Sequence, residues 1–247
     1  MTKLTTIVAT GLLFGICSLA SAAPILSISA QGDSASGNAE NSFLATVQGA
    51  ITETFESFEK DGITYNDPGE QSITFISQAG VGTFTSEAAG SGGLCGSSGY
   101  DCDKGLAVLD AGTSPFNGRY PVSGDNWLDS MDAEEMSISP VAGYNAMGFY
   151  MTDPNDANGR IAIGDDFFNF TDIFEGGVSN GSIFYITLFD SAGLGTVSIF
   201  SNDSGDGYGL DNVTIGKVVV PEPGTLALLG LALVGLLLAR KRKQEHS

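Results

Sequence analysis

The chain has 247 residues, and its 29 acidic and 10 basic side chains give a formal net charge of −19. Between the two terminal segments, residues 23–220 carry 27 acidic and five basic side chains, a formal charge of −22. A field of this sign repels phosphate backbones and argues against binding to nucleic acid. Two interpretations of the acidity remain open: a soluble extracellular surface, or carboxylates that hold divalent cations through oxygen ligands.

The first 22 residues have the three parts of a secretory signal peptide. Lys3 supplies positive charge, Ile7–Leu19 forms a short apolar stretch, and an Ala-Ser-Ala triplet follows at 20–22. We therefore expect cleavage between Ala22 and Ala23. An uncleaved membrane helix does not fit, because 13 residues at about 1.5 Å each are too short for a hydrocarbon layer of about 30 Å.

Residues 23–220 form the predicted exported domain. Short β-branched and aromatic runs alternate there with Gly, Asn, Asp and Ser, and no helical periodicity of useful length is present. The pattern predicts an all-β fold, an antiparallel, jelly-roll-like β-sandwich. Segments Gln31–Ser42 and Glu87–Gly99 are poor in apolar residues and are predicted to be mobile loops. The predicted strands are Ile25–Ala30, Phe43–Val47, Ile51–Phe58, Ser72–Ser77, Gly82–Ser86, Leu106–Leu109, Glu135–Ile138, Ala146–Met151, Arg160–Ile163, Ser182–Phe189, Thr196–Ser201 and Leu210–Val220.

Two short segments of this domain resemble carbohydrate-binding jelly-roll modules. They are Thr52–Phe58 (TETFESF), on an early predicted strand, and Asp206–Val213 (DGYGLDNV), which opens the last one. Such modules have similar sequences on their first and last strands and often hold a structural calcium ion between the acidic residues. The resemblance implies that Glu56 and Asp211 are calcium ligands. The alternative is that both are solvated carboxylates at strand edges.

The cysteines agree with export. Cys17 lies in the predicted signal peptide, which leaves Cys95 and Cys102 in a Gly/Ser-rich stretch. Two cysteines so placed in an exported protein predict a small disulfide-closed loop. A zinc site does not fit, because the domain contains no histidine.

Residues for catalysis are scarce. The single histidine, His246, lies near the C-terminus, which excludes Ser-His-Asp and Cys-His arrangements in the exported domain. Glycoside hydrolysis needs only two carboxylates, and 27 acidic residues can supply such a pair by chance. We therefore predict that the protein is not an enzyme, with a polysaccharide hydrolase or lyase as an alternative.

The C-terminal segment 221–247 has three consecutive parts. Pro221, Glu222 and Pro223 are followed by an apolar run, Thr225–Ala239, and then by the basic cluster Arg240–Lys243. We expect a single hydrophobic helix over the apolar run, with the basic end retained in the cytoplasm. Proline keeps the first part extended and accessible to a protease. An ordinary C-terminal anchor helix is the alternative.

This arrangement resembles the PEP-CTERM sorting signal of Gram-negative bacteria. The resemblance implies processing near Pro221, Glu222 and Pro223 by an exosortase, an integral-membrane cysteine transpeptidase-like enzyme. It also implies a transient inner-membrane stage, then release to the cell surface or the extracellular matrix. Proteins with this signal are linked to exopolysaccharide and biofilm formation, so we expect the domain to bind or structure that matrix. A structural matrix protein without any ligand is the other alternative.

Overall fold

The computed structural model describes residues 23–58, 71–90, 105–112, 116–154, 159–174, 178–201, 205–219, 230 and 232–234. The described residues contain fourteen strands and two helices. The strands are β1 (Ile25–Ile28), β2 (Gln48–Glu53), β3 (Gln71–Ser72), β4 (Thr74–Ile76), β5 (Gly82–Ala88), β6 (Leu106–Asp110), β7 (Asn126–Asp129), β8 (Glu135–Pro140), β9 (Ala146–Thr152), β10 (Arg160–Ile163), β11 (Asp166–Asn169), β12 (Ile183–Phe189), β13 (Val197–Phe200) and β14 (Gly209–Lys217). The helices are α1 (Asp33–Thr46) and α2 (Phe170–Ile173).

The strands form two antiparallel sheets. The first sheet has the order β1-β12-β9-β14-β7-β6-β3, with β2 also paired to β14, and the second has the order β11-β10-β13-β8-β5-β4. The main core contains buried side chains from both sheets, among them Phe84 and Ile138 of the second and Phe149 and Met151 of the first. This arrangement confirms the predicted β-sandwich.

Strand patterns in the sequence follow from the position of each strand. The residues of β5 alternate between more and less buried over Gly82–Ser86, as expected for a strand with one face in the core. Every residue of β9 is buried, because the core covers one face and other parts of the chain cover the other. The predicted strand Ser182–Phe189 corresponds to β12, which lies between β1 and β9 in the first sheet.

Strand β14 pairs with one strand along one edge and with two different strands along the other edge. On one side it pairs with β9 along most of its length. On the other side Gly209 and Leu210 pair with β7, whereas Val213 to Lys217 pair with β2. The neighbour therefore changes at Asp211 and Asn212, and we call this position the fork. Asn212 has a φ of 47°, a left-handed conformation that Asn adopts more readily than most residues.

Helix α1 corrects the sequence prediction. The predicted mobile loop Gln31–Ser42 and the predicted strand Phe43–Val47 are both wrong, because Asp33–Thr46 is helical. The helix lies on the outer face of the first sheet, where Phe43 and Val47 pack in one buried cluster with Tyr150 and Tyr185. Burial of a Phe side chain contributes about 1.5–3 kcal/mol, which offsets the low helix propensity of the Ser, Asn and Gly residues in α1.

Polar contacts also fix α1 on the sheet. Glu40 Oε2 accepts a hydrogen bond from the Tyr150 hydroxyl at 2.8 Å, and Glu40 Oε1 accepts one from Asn212 Nδ2 at 3.0 Å. These partners are more than one hundred residues away in the sequence. Local sequence patterns therefore do not reveal them, and an all-β prediction misses the helix.

The structure also differs from the prediction in the number and the bounds of the strands. Strands β7 and β11 were not predicted, and β2 begins at Gln48 and ends at Glu53, earlier than the predicted Ile51–Phe58. Residues 55–58 leave the strand because Phe55 has a φ of 60° and turns its ring into the core. The last strand ends at Lys217, before the predicted Val220.

Among the described residues, no helix has the length and apolar character that a membrane crossing requires. Residues 1–22 and most of 221–247 lie outside the described part of the chain. The signal peptide and the C-terminal helix therefore stay predictions.

Gly148 allows α1 to approach the sheet closely, and this makes a testable prediction. A Cβ at this position would collide with Tyr185 Oη and lie 2.9 Å from the Phe43 ring. Overpacking of this kind costs about 1–3 kcal/mol. We expect Gly148→Ala to lower the free energy of unfolding by that amount in urea titrations.

Gly195→Ala is the matched control, because a Cβ at Gly195 meets no atom within 4 Å. Its free energy of unfolding should change by less than about 1 kcal/mol. Equal stability of the two variants would contradict the described packing of α1.

Candidate functional site

A coil segment before β7 lies against the fork and meets both predicted calcium ligands. We call residues 116–125 the anchored loop, since side chains distant in sequence hold its backbone. Gly118 and Gly124 have φ values of 93° and 68°, a region that favours glycine. A Cβ at Gly124 would collide with the Glu56 carboxylate. The loop therefore needs glycine at position 124, where its backbone approaches the Glu56 carboxylate.

Glu56 holds the end of the anchored loop. Its Oε1 accepts hydrogen bonds from the backbone N–H groups of Asp125 at 2.9 Å and Asn126 at 2.7 Å. Asn126 Nδ2 donates in turn to the carbonyl of Phe55 at 3.1 Å. The turn after β2 and the start of β7 are thus joined by three hydrogen bonds.

Asp211 holds the middle of the anchored loop from inside the protein. Its Oδ2 accepts hydrogen bonds from the N–H groups of Val122 at 2.7 Å and Ser123 at 2.9 Å, and its Oδ1 accepts one from the N–H of Asn212 at 2.7 Å. The side chain is buried, with 1% exposure. The alternative that Asp211 is a solvated edge residue is therefore wrong, whereas Glu56 is exposed.

The fork explains why a carboxylate lies at this position. Strand β7 no longer pairs with β14 beyond Leu210, and β2 begins to pair only at Val213. The Asp211 carboxylate provides acceptors for loop N–H groups that no strand satisfies here. A buried N–H left without an acceptor costs about 1–3 kcal/mol, so the side chain replaces part of a strand pairing.

Burial raises the pKa of Asp211 to about 7, and the nearby charge of Glu56 adds to the rise. The three N–H donors act in the opposite direction, because they favour the ionised carboxylate. An Asp in an unfolded chain has a pKa of about 3.9. Ionisation of Asp211 therefore lowers the free energy of unfolding as pH rises from about 4 towards 7, because the folded state binds this proton more tightly than the unfolded chain does.

Arg119 fixes the other half of the anchored loop through a buried ion-pair cluster. Its Nη1 lies 3.1 Å from Asp129 Oδ1, and its Nη2 pairs with Asp206 Oδ1. The guanidinium also lies 4.3 Å from the ring centroid of Phe116, a cation–π contact. Trp127 Nε1 donates to Asp129 Oδ2 at 3.2 Å. The buried Asp129 thus joins β7 to Arg119.

Arg119 and Asp129 are not among the site residues predicted from the sequence. One signal was available, because Arg119 is one of only five basic residues in a domain with 27 acidic ones. A scarce cation in such a domain is a candidate for a buried ion pair, since an unpaired buried carboxylate is costly. The choice of Asp129 and Asp206 among so many carboxylates depends on the fold.

The acceptor capacity of Glu56 and Asp211 decides what else they can bind. Each carboxylate oxygen has two lone pairs, and backbone N–H groups occupy both on Glu56 Oε1 and Asp211 Oδ2. Asp211 Oδ1 accepts one bond, from Asn212. Within the described ranges, no group of three or more acidic, Cys or His side chains forms a metal site. The structure brings Glu56 and Asp211 to one loop. Whether they bind calcium stays a prediction.

The other predicted site residues lie mostly outside the described part of the chain. These are Ala22 at the cleavage position, the cysteines Cys95 and Cys102, and the sorting residues Pro221, Glu222 and Pro223. Ala23 is described and is exposed. The disulfide and both processing sites stay predictions.

Comparison with known proteins identifies the tail. Residues 219–243 match the PEP-CTERM protein-sorting motif, which confirms the predicted sorting signal. A match of this kind implies an exported protein that an exosortase-type enzyme processes. The chain is also similar to the K2 cleaved adhesin domain of Lys-gingipain, with 18% identity and a TM-score of 0.36 over 68% of this chain and 97% of that one. No curated protein matches the chain.

The two oxygens of Asp211 make a testable prediction. Both accept N–H groups, so Asn in either orientation places an NH₂ group against a backbone donor. We expect Asp211→Asn to lower the free energy of unfolding by about 1–3 kcal/mol, measured by urea titration at pH 7.

Glu56→Gln is the matched control. Only Oε1 of Glu56 accepts backbone N–H groups in the described contacts, so the Gln carbonyl can replace it while its NH₂ faces away. The loss should be clearly smaller than for Asp211→Asn. An Asp211→Asn variant as stable as the original chain would show that these hydrogen bonds do not hold the loop.

Proposed function

We propose that this chain is a non-enzymatic surface or matrix protein of a Gram-negative bacterium, delivered by an exosortase-type enzyme. The sorting motif at residues 219–243 is the observation that carries the proposal. The motif begins two positions after β14 ends at Lys217. A β-sandwich therefore adjoins its sorting signal almost directly, as expected for a domain that is carried to the surface by its tail.

The export route supplies the second part of the proposal. A signal peptide over 1–22 is removed between Ala22 and Ala23, and Cys95 and Cys102 then form a disulfide. The position of β1 supports this route, since its first residue, Ile25, follows the proposed cleavage position closely and Ala23 is exposed. Removal of the first 22 residues leaves all fourteen strands intact.

Association with exopolysaccharide is the proposed role of the exported domain, which we place in the jelly-roll class of sandwiches. The absence of histidine from residues 23–220 argues against histidine-dependent catalysis there, whereas catalysis by a pair of carboxylates is the alternative that needs a test. Glycan-array binding by residues 23–220 tests the role. Release of reducing sugar would instead indicate a hydrolase or lyase, and no glycan binding would indicate a structural matrix protein.

We also propose that calcium binds at the anchored loop through Glu56 and Asp211. Backbone donors leave one lone pair on Asp211 Oδ1, and no described hydrogen bond uses Glu56 Oε2. Carboxylate oxygens are the ligands that calcium prefers, and backbone carbonyls and water would complete its six to eight positions. A cation here would also relieve the repulsion between the two carboxylates, which raises the pKa of Asp211.

The tail makes the first prediction of this proposal. The mature protein recovered from the surface should have its C-terminus near Glu222, by intact mass spectrometry. Glu222→Ala should retain the tail, because the change alters the motif that the enzyme recognises. Glu245→Ala, which lies beyond the basic cluster, is the control and should be processed normally. Surface protein that ends at Ser247 would overturn the proposed sorting.

Calcium makes the second prediction. Millimolar calcium should raise the melting temperature of residues 23–220 at neutral pH, because a ligand that binds only the folded state stabilises it. The gain is about 2.7 kcal/mol at a hundredfold excess over Kd. Asp211→Ala should abolish the rise, whereas Asp190→Ala, at the far end of β12, should keep it. No effect of chelator on the melting curve would exclude the site.

A further inference from the structure

Two turns and the end of β14 form one surface where the chain leaves the domain. We call this surface the base and define it as residues 141–145, 190–195 and 217–219. The two turns are hydrogen bonded to each other, since the Asp190 N–H donates to the Asn145 carbonyl and the Leu194 N–H donates to the Tyr144 carbonyl, both at 2.9 Å. Together with the end of β14 they line a cleft of about 570 Å³.

Asn145 holds the chain at this surface after β14 has ended. Its Oδ1 accepts a hydrogen bond from the Val218 N–H at 2.7 Å, and its Nδ2 donates to the Val218 carbonyl at 3.0 Å. One side chain thus satisfies both backbone groups of Val218, as a neighbouring strand would. The exit point of the chain is therefore fixed relative to the two turns.

The base differs in charge from the rest of the domain. Its charged residues are Asp190 and Lys217, so its net charge is zero in a domain of −22. Val141 and Val219 are 41% and 65% exposed, and the turns are otherwise rich in Gly and Ala. A neutral, partly apolar surface can approach another protein or the membrane at low electrostatic cost, which an acidic surface cannot.

Few residues separate the base from the sorting residues Pro221, Glu222 and Pro223. Pro221 follows Val218 by three residues, and an extended chain spans at most about 3.6 Å per residue, so the Pro-Glu-Pro triplet begins within about 11 Å of the Asn145 contact. Five residues lie between Val219 and Thr225, where the apolar run begins. A typical protein interface covers about 800 Å² on each partner. A footprint of this area around the Pro-Glu-Pro triplet is wide enough to reach the base.

We infer that the base is a docking surface for the membrane enzyme that processes the tail, and that Asn145 positions the sorting motif beside it. This inference rests on the proposed function and adds a second contact, outside the motif itself. The occupant is an integral-membrane protein, and the neutral charge of the base suits the short distance to the membrane. Recognition would thus depend on the folded domain and on the tail.

A processing assay with the full chain tests the inference. Ala142→Glu/Ala192→Glu adds two charges at exposed positions of the base, and Ala30→Glu/Ser34→Glu adds the same charges at exposed positions near the opposite end of β12. Loss of the tail is followed by pulse–chase and mass spectrometry in the bacterium that processes it. We expect the base variant to be processed at least about tenfold more slowly, because an interface that covers the base would bury two carboxylates without partners. The control should keep the original rate.

A second variant separates docking from simple obstruction. Six Gly and Ser residues inserted between Val220 and Pro221 move the motif away from the base. Docking predicts slower processing, whereas a base that merely obstructs the enzyme predicts faster processing. Unchanged or faster processing of the base variant, with normal folding in urea titrations, overturns the inference. Normal processing of Glu222→Ala would overturn the proposed sorting as well. If Glu222→Ala blocks processing and the base variant does not, the proposed sorting stands and only the docking inference fails.

Discussion

Acidic side chains that accept backbone N–H groups hold the first sheet together where its pairing is interrupted. Strand β14 changes neighbour at Asp211, and the segment that enters β7 has no strand partner there. Asp211 and Glu56 supply four acceptor contacts to residues 122–126. Without them, the part-buried N–H groups of Val122, Ser123 and Asn126 would lose their acceptors, and an N–H group left unpaired away from water costs about 1–3 kcal/mol. The ion pairs of Arg119 fix the other half of the same loop.

This arrangement determines how the charge of the domain is distributed. Arg119 forms ion pairs with Asp129 and Asp206. It is one of only five basic residues in a domain with 27 acidic ones. Asp211 is balanced by backbone dipoles and Glu56 by the same loop, while the base of the domain carries equal numbers of acidic and basic residues. The tail leaves from that neutral surface. The surface from which the tail leaves is therefore less acidic than the domain as a whole.

Local sequence patterns predicted the sandwich and the tail, but not the contacts that join distant segments. Alternating or apolar runs such as Gly82–Ser86 and Ile183–Phe189 indicate strands by themselves, and the three-part tail is read from consecutive residues. Helix α1 was missed because its stability comes from Phe43 and Glu40, whose partners lie on β9, β12 and β14. A family resemblance selected Glu56 and Asp211. Their common contact with one loop depends on the fork, which no local pattern encodes.

Native-state hydrogen exchange on residues 23–220 tests the role of these carboxylates most directly. The amides of Val122, Ser123 and Asp125 lie in a coil segment, where exchange is normally fast, and the amide of Asn126 lies at the first position of β7. We expect them to exchange as slowly as the amides of β14, and Asp211→Asn to accelerate Val122 and Ser123 specifically. Exchange of all four at the rate of an unstructured chain would contradict the account, because the N–H groups would then have no lasting acceptor.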